Sequence, residues 1–236
     1  MTPRSASDRV LVIMAKAPRT GEVKTRLTAS LSLDAVTELY CCLLQDTLAL
    51  ARSLEDVEVA IVCPESDVSD LAHLADDQTA VFAQRGEGLA AGLASVFARF
   101  AENGQRRVIA FNSDSPHLPR AVLEQAFATL AAQDVVVGPT QDGGYYLVGT
   151  KASHLTLFAN DGMGTSNALE RLISRAGALN LSVGFAESFY DIDVADDLIR
   201  LSAELRLAPA RAPRTAAWIK EWELAGTQLR TGTSKP

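Results

Sequence analysis

Apolar runs of strand length recur along this sequence: VLVIMA (Val10 to Ala15), VEVAIVC (Val57 to Cys63), AVFAQ (Ala80 to Gln84), RVIAFN (Arg107 to Asn112) and DVVVG (Asp134 to Gly138). They are apolar throughout rather than alternating, which predicts strands covered on both faces. Helical patterns lie between them. Val36, Leu39, Tyr40, Leu43, Leu44 and Leu48 share one stripe, and Leu89, Leu93, Val96, Phe97 and Phe100 another, at spacings of three and four. Pro119 is placed to open a helix running to about Ala132, because proline is tolerated in a first turn. Strands alternating with helices predict an α/β chain with a mainly parallel sheet and right-handed crossovers. After Gly138 the pattern changes. PTQDGGYYLVGT reads as a turn followed by a strand that includes Tyr145 to Val148, Leu181 to Ala186 as a further strand, and Val194 to Leu205 as a helix whose first-turn Asp196 and Asp197 suit its positive end.

Composition narrows the class. At 236 residues and 47% hydrophobic, the chain can bury a sizeable core, and no Pro/Ser/Gly linker or charge block divides it. We expect a flexible N-terminus over 1–9, a single domain over 10–225 and a disordered polar tail over 226–236. A formal net charge of -7 and a pI of about 5.0 argue against nucleic-acid or anionic-membrane partners. No apolar run approaches the roughly 20 residues that span a bilayer, and MTPRSASDR lacks the apolar core of a signal peptide, so a cytoplasmic protein is expected. Cys41, Cys42 and Cys63 sit in apolar segments and read as buried thiols.

Against that acidic background, MAKAPRTGEVKTRL gathers Lys16, Arg19, Lys24 and Arg26 directly after the first strand. Ligands of parallel sheets bind beyond the carboxyl ends of strands, Gly21 lets backbone approach a ligand closely, and these cations suit phosphate. A solvated basic loop is the plain alternative. GEVKT is not a phosphate-binding P-loop, since two residues separate Gly21 from Lys24 and no glycine lies five before Gly21. RGEGLAAG satisfies GxGxxA, yet it follows the third strand and position 108 is Val, against a dinucleotide site. Gly86 and Gly88 instead fit a turn where a flat base lies on backbone, with Gln84 reading its edges, or a purely structural turn. In FNSDSPHLP, Asp114 lies just past a strand, placed to hold a hard cation or to cap the next helix, with His117 orienting or capping. Asp191 and Asp193 alternate along an extended segment and so point the same way, where one of them can complete a metal site with Asp114. No Cys/His spacing suggests zinc, and GxSxG is absent.

Taken in order from Val10 to Leu201, AKAPRTGEVKTRL, the DT of LLQDTLAL, NSDSPHLP, GPTQDGGYYLVG and YDIDVADDL resemble a bacterial family of glycosyltransferase-A-like proteins labelled as radical-SAM/selenodomain-associated transferases. The resemblance implies a single-domain glycosyltransferase-A-like (nucleotide-diphospho-sugar transferase) fold with a mixed, mainly parallel sheet. That fold also houses the molybdenum-cofactor and phospholactate guanylyltransferases, and GMGTSNAL (Gly162 to Leu169) resembles the GGTNAL of the latter. By resemblance, Arg19, Lys24 and Arg26 meet a triphosphate. Ala15, Lys16, Gly21, Gln84, Gly86, Gly88 and Leu89 bind the nucleotide. Asp142, Gly143, Gly144 and Tyr145 hold the second substrate, and Asp114, Asp193 and Asp191 hold Mg²⁺ or Mn²⁺. The first loop departs from the family pattern in lacking the GxGxR glycines of the larger nucleotidyltransferase group.

The expected activity is a Mg²⁺-dependent nucleotidyltransferase that joins a nucleoside monophosphate unit from an NTP to a phosphorylated small-molecule acceptor and releases pyrophosphate. Two rivals stand beside it: a glycosyltransferase using a nucleotide sugar, and a nucleotide-binding regulatory protein without turnover.

Overall fold

A computed structural model describes residues 7–101, 106–158 and 166–224. Its sheet has seven strands: β1 (Arg9–Met14), β2 (Val57–Cys63), β3 (Ala80–Ala83), β4 (Arg107–Asn112), β5 (Val135–Pro139), β6 (Tyr145–Thr150) and β7 (Val183–Phe185). They lie in the order β3-β2-β1-β4-β6-β5-β7. The pairs β3–β2, β2–β1, β1–β4 and β5–β7 are parallel, whereas β6 runs antiparallel to both β4 and β5. Crossover from β4 to β5 leaves one strand's width between them, and the chain folds back at the Asp-Gly-Gly turn to fill it with β6. The mixed sheet thus follows from a tight turn where every earlier connection carries a helix.

The uniformly apolar strands are explained by their two coverings. Leu11, Ile13, Ile61, Ile109 and Phe111 face one layer, and Val10, Val12, Ala60, Val62, Val108 and Ala110 face the other, as period-two alternation requires. The first layer is roofed by α1 (Leu33–Arg52), α2 (Val68–Leu74) and α4 (Arg120–Ala132). The second is roofed by α3 (Gly88–Phe100) and α5 (Ala168–Ala178). The first-helix stripe serves two neighbours: Leu44 and Leu48 join the sheet layer, while Val36, Leu39 and Leu43 pack with α6 (Ala195–Leu207) and α7 (Pro213–Leu224).

Helices α2, α5 and α7 lie outside the sequence-based expectation. The first is only seven residues long, too short for a periodic signal. The sequence reading began its last helix at Val194, and in the structure Asp197 accepts from Val194 N–H (2.8 Å) and Asp193 N–H (3.0 Å), so one of the two first-turn acids caps the helix. Ser7 to Arg9, expected to be flexible, are fixed: Arg107 N–H donates to Asp8 O (2.6 Å) and Arg9 opens β1. The expected tail and most of GMGTSNAL lie outside the described residues. Cys63 is buried and Cys41 and Cys42 half-buried, all as free thiols. Among the described residues no helix is long and apolar enough to cross a membrane.

The DT pair that helped carry the resemblance is structural. Asp46, 1% exposed, accepts from Thr215 N–H (2.8 Å), Thr215 Oγ1 (2.9 Å) and Arg214 N–H (3.3 Å), supplying from α1 the acceptors that the first turn of α7 lacks. Thr47 Oγ1 lies 2.8 Å from Leu43 O and 3.2 Å from Ser113 O, so this pair also steadies the loop after β4. Removing a buried, charge-assisted acceptor of three donors costs about 3 kcal/mol. Asp46→Ala should therefore lower the urea midpoint by that equivalent, while Leu207→Ala, exposed on α6, should leave it within error.

Candidate functional site

The carboxyl ends of β1, β2 and β4 open together on a cavity of about 960 Å³, the size of a nucleotide-type ligand site. Parallel neighbours send their loops off the same edge of the sheet, so residues distant in sequence converge there. The loop after β1 contributes Ala15, Lys16, Glu22, Val23, Lys24, Thr25 and Arg26. Glu65 follows β2, Gln84 to Leu89 follow β3, Ser113 and Asp114 follow β4, and Asp193 arrives from the segment before α6. Tyr40 reaches in from α1. Its hydroxyl accepts from Lys16 N–H (3.2 Å) and lies 3.0 Å from Ser113 Oγ, tying the first loop to the third. Sequence reasoning counted Tyr40 only as part of an apolar stripe. A hydroxyl in that stripe was the available signal, because a buried tyrosine oxygen needs a partner.

Asp114 and Asp193 line the cavity, and one oxygen each from Asp114, Asp191 and Asp193 lies within 4.8 Å of the others. The alternative that Asp114 caps a helix does not hold, since α4 begins six residues later with Pro119 at its cap. Asp114 Oδ1 is buried with no hydrogen-bond partner. An orphaned carboxylate oxygen among three carboxylates fits a hard divalent cation such as Mg²⁺ or Mn²⁺, for which oxygen donors are the preferred set. Lys24 closes the group: its ammonium bonds Asp114 and lies 2.7 Å from Asp193 Oδ1. Burial, the strongest single influence, opposes its charge, but Asp114 and Asp193 overcome it and hold the ammonium above the ordinary lysine range. Asp191 is pushed up to about 6 by burial first and then by the charges of Asp114 and Asp193.

The two sides of this centre are locked by Ser115, whose hydroxyl donates to Tyr190 O (3.1 Å) and so joins the Asp114 loop to the Asp191–Asp193 segment. His117 neither caps nor reaches the cavity. It is buried against Phe189 and Tyr190, at ring centroid distances of 4.8 and 4.6 Å. Burial, helped by Arg200 and Arg211, holds its pKa down at about 3, so the imidazole is neutral.

Arg19, Tyr145 and the Asp142–Gly144 turn lie off this lining, whereas Gln84 is on it. Arg19 is absent from the cavity lining: its guanidinium bonds Asp67 Oδ1 (2.6 Å), Asp70 Oδ2 (2.7 Å) and Ser66 O (2.7 Å). Buried Asp67 also accepts from Ala17 N–H (2.9 Å), so these contacts anchor the first loop to the segment after β2. Gln84 lines the cavity, but its amide Nε2 donates to Gly86 O (2.8 Å), which shapes the turn. Gly86 and Gly88 both have positive φ, 81° and 80°, which is why that turn uses glycine. Tyr145 packs on the apolar layer beneath α3 and α5. Asp142, Gly143 and Gly144 lie outside the main lining, though the charge of Arg26 acts on Asp142. Gly143 has φ 87°, and a Cβ there would stand 1.9 Å from Ser166 O, so the turn is seated against the segment leading into α5. The lining also holds carboxylates that sequence reasoning missed, Glu22, Glu65 and Glu87.

A family described as "uncharacterized protein conserved in bacteria" (DUF2064) matches residues 47–165, half of the chain. No curated protein matches significantly. A structure from Desulfovibrio desulfuricans G20, assigned only provisionally as a nucleotide-diphospho-sugar transferase, superposes with TM-score 0.84 at 25% identity, over 92% of this chain and 96% of that one. Rv0371c of Mycobacterium tuberculosis H37Rv, solved in complex with manganese, gives TM-score 0.50 at 21% identity, over 84% and 98%. The 4-diphosphocytidyl-2C-methyl-D-erythritol synthase of Anaerococcus prevotii DSM 20548 gives TM-score 0.56 at 11% identity, over 84% and 97%. The last two likenesses show the fold, and the glycosyltransferase-A-like architecture is thereby established.

The raised pKa of Asp191 sets a stability test. A carboxyl whose folded pKa lies above its unfolded value favours folding while protonated, and that contribution is lost as pH rises through about 6. Asp191→Asn should therefore raise stability by about 2 kcal/mol at pH 8 in EDTA, with the gain fading by about pH 4. An unchanged melting temperature at pH 8 would contradict this account of the centre.

Proposed function

The chain belongs to the DUF2064 family, and we propose that it is a divalent-metal-dependent nucleotidyltransferase, moving a nucleoside monophosphate unit from an NTP to a phosphorylated small molecule and releasing pyrophosphate. The observation that carries this reading is the cluster of Asp114, Asp191 and Asp193, two of which line the cavity at the carboxyl edge of the sheet together with the cations Lys16, Lys24 and Arg26. Asp114, Asp191 and Asp193 would hold Mg²⁺ or Mn²⁺, which supplies charge neutralisation on the phosphate oxygens. Lys16 and Arg26, both exposed on the lining, bind and orient the phosphates, and Lys24 offsets the charge that builds on them during transfer. The Gly86–Leu89 turn receives the base against backbone. The Asp142–Gly144 turn, on the side of Arg26, orients the acceptor. An acceptor that is already an anionic phosphate requires no general base, and no histidine lines the cavity.

The lining itself argues for metal. It carries five carboxylates, Glu22, Glu65, Glu87, Asp114 and Asp193, against three cations, so a free polyphosphate meets a net negative wall whose excess charge one divalent ion cancels.

A second reading, transfer of a sugar from a nucleotide sugar, is favoured by the similarity to the Desulfovibrio protein. Product analysis separates the two: incubation with the four NTPs, Mn²⁺ and a pool of phosphorylated metabolites should release pyrophosphate, whereas nucleoside diphosphate from sugar nucleotides supports the rival. Asp114→Ala should lower turnover by at least about 100-fold with its fold intact by circular dichroism. Full turnover in that variant would remove the metal role.

A further inference from the structure

Lys24 occupies the place where the acidic centre calls for a cation. Its side chain is only 7% exposed, and its ammonium is shared between Asp114 and Asp193. The ammonium therefore takes carboxylate oxygens from two of the three residues a divalent ion would use, while Asp114 Oδ1 stays buried and unpartnered beside it. The backbone of Lys24 is left-handed, at φ 46° and ψ 41°. That conformation is uncommon for a residue with a Cβ, and it sets Lys24 at the start of the turn in which its carbonyl accepts from Leu27 N–H (2.9 Å). A lysine carries a compact charge on a flexible four-carbon stem, which suits exchange between partners better than the planar fork of an arginine. The same residue lines the cavity with Lys16 and Arg26, within reach of any phosphate held there.

We infer that Lys24 is the exchangeable counter-ion of this centre: a divalent cation entering at Asp114, Asp191 and Asp193 expels the ammonium, which turns into the cavity to meet phosphate. Metal loading and phosphate capture become one coupled event. By linkage, whatever draws Lys24 toward phosphate also favours the metal, and the reverse. The inference rests on the reading of this cavity as a metal and nucleotide site, and its test separates the two.

The wild-type chain has five lysines, so amine acetylation mapped by mass spectrometry resolves Lys24 individually, with exposed Lys16 as the internal reference. In EDTA, Lys24 should be shielded. With saturating Mn²⁺ and no nucleotide, its labelling relative to Lys16 should rise about tenfold, the scale of an ordinary coupling. Mn²⁺ binding followed by electron paramagnetic resonance should tighten by about tenfold in Lys24→Met, which frees oxygens of Asp114 and Asp193, and clearly less in Arg26→Gln, which removes only the looser pair to Asp193 Oδ2 at 3.7 Å. If Mn²⁺ binds while Lys24 stays shielded, or if both variants tighten binding equally, the exchange is overturned and the metal site survives. Absence of Mn²⁺ binding overturns both. Should Lys24→Met fail to fold, the labelling of the wild type decides alone.

Discussion

Three carboxylates brought within 4.8 Å of one another cannot all stay ionised in a partly buried site without positive charge among them. That repulsion is the constraint on which the rest of this site depends. It raises Asp191 to about 6 and fastens Lys24 to Asp114 and Asp193. It also explains why an acidic chain places so much of its lysine in one loop. A fold does not gather such charges for stability, because taking ions out of water costs more than their pairing commonly returns. Their convergence beside a cavity supports the proposal that the site meets a cation in use.

The sheet supplies the convergence. Parallel β1, β2 and β4 send three loops off one edge, and the antiparallel β6 seats the Asp-Gly-Gly turn beyond β4, on the side of Arg26. Supporting contacts hold these loops in place, one of them on the cavity wall itself. Arg19 with Asp67 anchors the first loop, Tyr40 bridges it to Ser113, and Ser115 with Tyr190 joins the loop after β4 to the last acidic segment. Asp46, from the middle of α1, fastens the final helix. The result is a firm frame around the acidic centre.

Much of this was legible in the sequence. Strand positions followed from apolar runs because both faces of each strand are covered, and Asp114, Asp191 and Asp193 followed from their positions just past strands or before a helix. What stayed hidden depended on side-chain direction and long-range partners. Nothing in AKAPRTGEVKTRL distinguishes Arg19 from Lys24, because the acids that claim Arg19 lie some fifty residues on, at Asp67 and Asp70. The acids that claim Lys24 lie farther still. For the same reason the DT of α1 entered only as part of a resemblance although its acid caps α7, and Tyr145 was expected at the second substrate although it packs, half-buried, against the core.

Charge count changes the picture of the cavity from a basic phosphate cradle to a mixed wall whose excess negative charge one divalent ion would cancel. The loop after β1 is then one half of a divided site, with the metal carboxylates as the other. Anomalous diffraction from crystals soaked in Mn²⁺ and a non-hydrolysable NTP tests this most directly. The account predicts a manganese peak ligated by Asp114, Asp191 and Asp193, with the triphosphate on Lys16, Lys24 and Arg26. Nucleotide bound outside the cavity, or manganese bound away from these carboxylates, would contradict it.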